Sequence, residues 1–449
     1  MINFHYQNKY SDVITSPPLG PGYVLQALEN AGITTKYWEY SLYPDINLLI
    51  DDIKRFSPPL IGCSFYSHHY TKTYDIIDQL SALDIPIVCG GVHVNSNGAK
   101  TLKETKADFL ILGEGEESLL LLLNNLGNRN AYKKIPGLVF KQHKKIIEVP
   151  RHPLVLSNIK YPKYDKFNLK KYSSDTRLIL SSRGCPNLCT FCSQSALLSK
   201  KWRKQAPENI INELEYWAQK GIINFNFADD NLTLDRNRII SLCKLIQKSR
   251  YKFKLMTSGV CINNVDQELL TIMKNSGFYY LSFGIESGND RVLKEIKKNI
   301  TVDKIHKTLE MACSMQFIIK LYFIINNRTE TYEEAQDSFR LARQYPIKLA
   351  RFTNLVPYPG TFDYEWIQKH GKLLFQPEKY LNNLDKYITK PLYDGPGMDL
   401  EERKQLIKDS MEELKRYSTS SISLKEKIIK ALKMITKGQF RLLANALKQ

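Results

Sequence analysis

Membrane-spanning length is the first thing missing from this sequence. No stretch approaches the roughly eighteen consecutive apolar residues of a transmembrane helix, and the opening Met1–Val13 lacks the apolar core of a signal peptide. Cysteine is scarce, with eight in 449 residues. A cytoplasmic chain is therefore expected, in which thiols stay reduced and clustered cysteines are metal ligands or catalytic groups rather than disulfides. There is no internal repeat and no low-complexity tract, which excludes repeat architectures. Acidic residues are few beside basic ones, 46 against 64, for a net charge of +18. Such a balance often accompanies nucleic acid or anionic membranes. Here the lysines are spread along the chain, with some excess in the last thirty residues, and no aromatic-interleaved RNA-binding motif joins them. A solvated basic surface explains them, and no nucleic-acid partner is expected.

What is present reads as globular: 43% hydrophobic and 24% charged residues. The length suits two domains plus an extension. In residues 1–130 short apolar runs alternate with helical patterns. Strands are expected at Leu60–Phe65, Pro86–Cys89 and Phe109–Leu112, and helices at Tyr23–Ala31, Tyr74–Leu83 and Glu116–Leu126. Such alternation implies a Rossmann-like, mostly parallel sheet that binds ligands beyond its strands' carboxyl ends. Gly90-Gly91 and Gly113-Glu114-Gly115 fall at those ends. Residues 131–170, rich in Lys, Pro and Tyr, read as a linker with one hairpin-like stretch near Leu138–Val149. From 171 to 365 six strand–helix steps follow, short of an eight-fold barrel, so a partial (β/α)6 TIM-like barrel is expected. The α/β architecture would end in a helical region, 366–449. Its last stretch, Ser423–Lys448, reads as a basic helix pair packed on the core, with at most peripheral membrane contact.

The densest chemistry lies in Gly184-Cys185-Pro186-Asn187-Leu188-Cys189-Thr190-Phe191-Cys192, directly after an expected strand. Thiolates are soft ligands for iron–sulfur clusters and zinc. Zinc fails on counting, because a structural site wants four ligands and no fourth Cys or His is near; Cys243 and Cys261 are isolated. Three buried cysteines by chance fits poorly with a Gly- and Pro-marked loop. Three thiolates on three corners of a 4Fe-4S cluster would leave the fourth iron open to a substrate.

This CxxxCxxC motif, with Phe191 before the last cysteine, resembles the radical S-adenosylmethionine superfamily. The resemblance implies that the open iron chelates the methionine moiety and that one electron breaks the carbon–sulfur bond to a 5′-deoxyadenosyl radical. Arg203 and Pro207 match the family's arginine and proline before the first helix. Asp229, in Phe227-Ala228-Asp229-Asp230-Asn231, stands where the family contacts the methionine amino group; the plainer reading is a helix cap or turn, and Asp230 is open between the two. Glu286, in Gly284-Ile285-Glu286-Ser287-Gly288, matches a ribose contact, or else a helix cap. Ser258 is a weaker cofactor candidate at the third strand's end. The family's Gly-Leu-Pro-Gly-Glu-Thr after the fifth strand is replaced by Asn326-Asn327-Arg328-Thr329-Glu330-Thr331, which keeps only Glu330 and Thr331 and puts the adenine-side contacts in question. Pro357-Tyr358-Pro359-Gly360-Thr361 matches the closing loop after the sixth strand.

The N-terminal half resembles the cobalamin-binding domain of one large subgroup, through Pro17-Pro18-Leu19-Gly20, Gly90-Gly91-Val92-His93 and Gly113-Glu114-Gly115-Glu116. Gly90, Gly91, His93, Gly113, Glu114 and Gly115 are thus its candidate cofactor contacts. His93 reads equally as a satisfied turn histidine. The Asp-x-His-x-x-Gly motif is absent, since Tyr70-Thr71 follows His68-His69 without the glycine. Together the resemblances imply methyl transfer from methylcobalamin to a carbon radical of a small-molecule substrate, with an electron donor such as flavodoxin or ferredoxin. Ring closure, oxidation or rearrangement without methyl transfer is the alternative, and a non-catalytic iron–sulfur regulatory protein a third reading.

Overall fold

The computed structural model describes residues 1–4, 16–41, 44–172, 175–194 and 201–418. The chain divides into two compact units. One comprises Met1–Tyr172 with Leu381–Leu384; the other runs from Ser173 to Tyr380 and resumes at Asp385.

The first unit is built on β1 (Ile2–Phe4), β2 (Trp38–Glu39), β3 (Ile61–Phe65), β4 (Ile87–Gly90), β5 (Phe109–Ile111), β6 (Leu138–Gln142) and β7 (Lys145–Glu148), ordered β2-β1-β3-β4-β5-β6-β7. The first five are parallel. Their order reverses between β1 and β3, the switch point where open α/β sheets form a ligand crevice. The apolar runs become strands because both faces are covered: Cys63, Phe65, Cys89 and Leu110 are all buried. Residues 131–170 are not a bare linker. Leu138, Val139 and Phe140 are buried, and β6 pairs antiparallel with β5 through Phe109↔Phe140. The exposed Lys141 and Lys144–Lys145 around the turn disguise that apolar strand in the sequence.

The second unit holds β8 (Arg177–Ile179), β11 (Asn224–Phe227), β12 (Lys254–Thr257), β13 (Phe278–Glu286), β14 (Ile318–Ile325) and β15 (Leu349–Asn354). They form one parallel sheet, ordered β15-β14-β13-β12-β11-β8. Among the described residues β8 and β15 are its two edges. Alternation makes the layers: Ile319, Leu321, Phe323 and Ile325 of β14 are buried while Lys320, Tyr322 and Ile324 are half-buried on the other face. Side-chain caps start the intervening helices. Asp235 accepts from Arg238 N (3.0 Å), Asp266 from Leu269 N (2.8 Å), and Thr331 forms a capping box with Glu334. The first strand is short. The chain leaves the sheet after Ile179, and β9 (Ser182–Arg183) pairs antiparallel with β10 (Arg203–Lys204).

The C-terminal region is helical at Phe362–His370 and Leu400–Ser418, and includes an unforeseen small ladder of β16 (Lys372–Leu373) and β17 (Tyr393–Asp394). The expected basic helix pair, 423–448, lies outside the described residues. Among those described, no helix is long and apolar enough to cross a membrane.

One buried carboxylate makes stability depend on pH. Glu213, on the helix Pro207–Gln219, is 2% exposed, and burial, with the neighbouring charge of Asp229, pushes its carboxyl from the ordinary 4.5 up to about 8. The fold therefore keeps a proton that the unfolded chain releases. That contribution is full below about pH 4.5 and is lost as pH rises through about 8. The melting temperature should fall between pH 6 and 8.5, and Glu213→Gln should flatten the fall. Equal slopes for the two proteins would count against this assignment.

Candidate functional site

Positive φ at Gly184 (84°) turns the chain out of β9 into the cysteine loop. Cys185, Cys189 and Cys192 are each half-buried there, and Leu188 is 54% exposed. The loop is tied down at Thr190. Its N–H donates to Ile296 O (3.0 Å), and its carbonyl accepts from Asp363 N (3.1 Å). The Asp363 carboxylate, 1% exposed, pairs with Arg328 Nε at 3.1 Å. Arg328 also reaches Glu295 (3.3 Å) and packs over Phe362 and Trp366, 5.1 and 5.3 Å from their ring centres. The loop after the fifth strand thus holds the cysteine loop through the helix after the sixth.

Burial raises the Cys189 thiol to about 11, against the nearby positive charge of Lys298; it raises Cys185 too, opposed by hydrogen bonds from Asn187 and Asn231. The three cysteines interact electrostatically. Among the described residues, no three Cys, His, Asp or Glu groups are gathered tightly enough for a single metal ion. Thiolates on one zinc sit roughly 4 Å apart, whereas those of a cubane bind separate irons and stand wider. Soft donors on a short, braced loop fit the cluster.

The strand ends around this loop differ in part from expectation. Asp229 is 2% exposed. Its oxygens accept from Ser181 N (3.2 Å), Ser181 Oγ (2.7 Å) and Ser182 Oγ, and Arg238 donates to the same Ser181 Oγ at 2.8 Å. Asp229 is the brace that bends the chain from β8 into the cysteine loop. The neighbouring Asp230 is exposed, accepts from Gln194 Nε2 (2.9 Å), and lies close enough to raise the Cys185 thiol. Ser258 is exposed beyond β12, bonded to Asn226 Nδ2 at 3.0 Å. Glu286 ends β13 with φ at +70° and accepts from Lys298 Nζ at 2.9 Å, and both charges act on Cys189. Gly284 makes room for this pair, since a Cβ there would lie 2.6 Å from Glu286 Oε1 and 3.2 Å from Lys298 Nζ. Lys298 had no motif to announce it.

The altered loop after β14 is held by other means than glycine. Asn326 itself adopts φ +60°. Its Nδ2 donates to Asn354 Oδ1 (2.9 Å), and its carbonyl accepts from Tyr393 OH (2.9 Å). Arg403, fully buried, donates to Tyr393 OH (2.9 Å), Gly395 O (3.2 Å) and Pro396 O (3.1 Å), its guanidinium 4.3 Å from the Tyr393 ring centre. Glu330, 1% exposed, accepts from Asn327 N (3.0 Å), and burial raises its carboxyl to about 7. The backbone of this loop touches Gly397, where a Cβ would sit 2.5 Å from Glu330 O.

In the first unit the glycines sit in turns, and the His93 ring is engaged within the fold. Gly91 takes φ +99°, and a Cβ on it would meet Phe65 O at 2.8 Å. Gly90 has open space beside it, with Ile111 O the nearest atom at 3.8 Å. Gly113 N donates to Asn95 Oδ1 (2.6 Å), Glu114 Oε2 accepts from Leu154 N (2.9 Å), and Gly115 opens the helix Gly115–Asn124. The His93 ring stacks on Tyr70 (4.4 Å) and Phe65 (5.3 Å). Its two nitrogens contact Tyr74 OH (2.7 Å) and Ser67 Oγ (3.0 Å), and burial lowers its pKa to about 3. A neutral ring with both nitrogens engaged is not placed as a cobalt ligand. Tyr66 and Val92, at these strand ends, are each 45% exposed.

Comparison with known proteins agrees with this arrangement. The radical SAM superfamily profile matches residues 179–365, and the B12 binding domain profile residues 14–123. An uncharacterized methyltransferase of Pyrococcus horikoshii is 29% identical over 92% of this chain and 89% of its own. The cytidylyl-2-hydroxyethylphosphonate methyltransferase of Streptomyces wedmorensis is 26% identical, over 77% and 76%. In fold the chain is similar to the radical S-adenosylmethionine methyltransferase TsrM of Kitasatospora setae, solved with cobalamin and a 4Fe-4S cluster. The TM-score is 0.76 at 14% identity, covering 100% and 98% of the two chains. The chain thus carries a radical SAM domain over residues 179–365, preceded in sequence by a B12 binding domain over residues 14–123.

Proposed function

We propose that this enzyme methylates a carbon atom of a small-molecule substrate. The observation that carries the reading is the pairing, in one chain, of the braced three-cysteine loop with a doubly wound unit whose switch point lies beside glycine turns. When bound, the cluster supplies the electron that breaks the carbon–sulfur bond of S-adenosylmethionine, and the corrinoid supplies a transferable methyl group. Cys185, Cys189 and Cys192 hold the cluster. Asp230, exposed beside Cys185, takes the methionine ammonium in place of the buried Asp229. Glu286 accepts from the ribose hydroxyls, while Lys298 donates to that carboxylate and adds positive charge beside Cys189. The Gly90-Gly91 and Gly113 turns receive the corrinoid without a bond from His93. A low-potential flavodoxin or ferredoxin supplies the electron.

The test is anaerobic incubation of the reconstituted enzyme with methyl-deuterated S-adenosylmethionine, a reductant and a metabolite extract. We expect 5′-deoxyadenosine together with a metabolite that has gained a deuterated methyl on carbon. Release of 5′-deoxyadenosine with no methylated product would replace methyl transfer by ring closure, oxidation or rearrangement. No release at all would point to a non-catalytic cluster protein.

A further inference from the structure

The segment after β7 folds back onto the glycine turns of the first unit and brings an arginine that no motif announced. Gly137 N donates to Pro150 O (3.3 Å), and Leu112 N donates to Gly137 O (2.8 Å), so residues 150–151 run beside the carboxyl end of β5. Glu114 Oε2 accepts from Leu154 N (2.9 Å) and holds the far end of the segment. Arg151 is exposed between these two anchors. Its side chain lies along the Gly113 turn, where a Cβ on Gly113 would be 3.5 Å from Arg151 Cδ.

Asn95 ties the parts together. Its backbone N–H (3.1 Å) and its Nδ2 (2.9 Å) both donate to Gly91 O, while its Oδ1 accepts from Gly113 N (2.6 Å) and from Arg151 Nη1 (3.3 Å). One side chain thus joins the turn after β4 to the turn after β5 and seats the guanidinium beside them. A neutral amide oxygen leaves the cation's charge in place, and among the described residues no carboxylate pairs with Arg151. A planar fork with donors to spare suits two oxygens of one phosphate. Neighbouring strands stand roughly 4.8 Å apart, so this corner is about 10 Å across the sheet from β3 and the switch point. That distance suits a contact at the edge of a broad ring ligand rather than at its metal. On a cobalamin the ring's own side chains are neutral amides, and the anionic group is the phosphodiester of the nucleotide loop.

We infer that Arg151, held by Asn95, binds the phosphodiester of the corrinoid's nucleotide loop, and so selects complete cobalamin over cobinamide, which has the ring and its amides but no phosphate. This rests on the reading of the first unit as a corrinoid site. Equilibrium titration of the full chain with hydroxocobalamin and separately with hydroxocobinamide, followed by the visible bands of the bound corrinoid, tests it. The parent should bind hydroxocobalamin the more tightly. Arg151→Met should lose roughly tenfold for hydroxocobalamin, the scale of one charge-assisted hydrogen bond, and nothing for cobinamide. The unchanged cobinamide arm also shows that the variant is folded. Arg151→Lys should fall in between, because an ammonium keeps the charge but not the fork. Arg129→Met removes the same charge from the helix Arg129–Tyr132 and should bind both corrinoids as the parent does. Equal binding of hydroxocobalamin by the parent and Arg151→Met overturns the assignment. So does an equal loss for both corrinoids, which would place the arginine on a ring amide. Binding of neither corrinoid by the parent would instead refute the corrinoid reading of the unit itself.

Discussion

Replacing Cys185, Cys189 or Cys192 singly by alanine is expected to remove most of the bound iron and to lower 5′-deoxyadenosine release at least about a hundredfold, the scale on which metal sites respond to lost ligands and their supports. Each thiol serves a separate corner, so a lost one has no substitute. Among the described residues no additional Cys, His, Asp or Glu completes a metal-binding group there. Stability should change little, because the loop is held by Thr190 and Asp363 rather than by the cysteines. Cys313→Ala, on the helix Val302–Ser314, serves as the comparison and should keep its iron. Iron and sulfide analysis, the visible spectrum and product release check all four proteins. Full iron content in any of the three ligand variants would refute that residue's assignment.

Arg403→Met is expected to destabilise the second unit by roughly 3 kcal/mol, because it leaves buried partners unbonded. For a unit of this size that corresponds to a fall of about 5–10 °C in melting temperature. It should also weaken S-adenosylmethionine binding about tenfold. The reason is the chain of contacts from Arg403 to Tyr393 OH and on to the Asn326 carbonyl. That chain of contacts holds Asn326, at positive φ, in the loop after β14. Lys404→Met is the control: its exposed pair with Glu401 contributes little, so both readings should stay near those of the parent. Cofactor affinity is read from the spectral response of the reduced cluster. A variant that melts lower yet binds S-adenosylmethionine normally would limit Arg403 to a structural part.

The three cysteines and Arg403 also mark what is legible in a sequence. The cysteines declare themselves because three ligands share one short loop. Strands β11 to β15 of the second unit declare themselves because each carries buried aliphatic or aromatic side chains and is followed by a helical repeat. Arg403 and Tyr393 have no such local signature. They meet Asn326 only because the C-terminal segment folds back onto the fifth strand's loop. Arg328 and Asp363 are hidden for the same reason. The two aspartates at 229 and 230 show another limit: adjacent carboxylates look alike in a sequence, and only the bend after β8 decides that Ser181 and Ser182 bury the first and leave the second exposed. In the first unit β1 and β2 are too short to show a period, and β6 is masked by its lysine-rich turn.

The brace on Thr190 has a consequence for how the protein matures. Asp363 reaches the cysteine loop only after the sixth strand and its following turn are in place, because its backbone and its carboxylate act from the start of the helix Phe362–His370. A contact between residues so distant in the chain forms late in folding, once the loop-closure entropy has been overcome by the packing of the strands between them. The thiols emerge early from the ribosome yet acquire their fixed arrangement last. Iron delivery should therefore favour a nearly finished chain over a nascent one, and truncations that end before residue 363 should yield protein that takes up little metal whatever the supply.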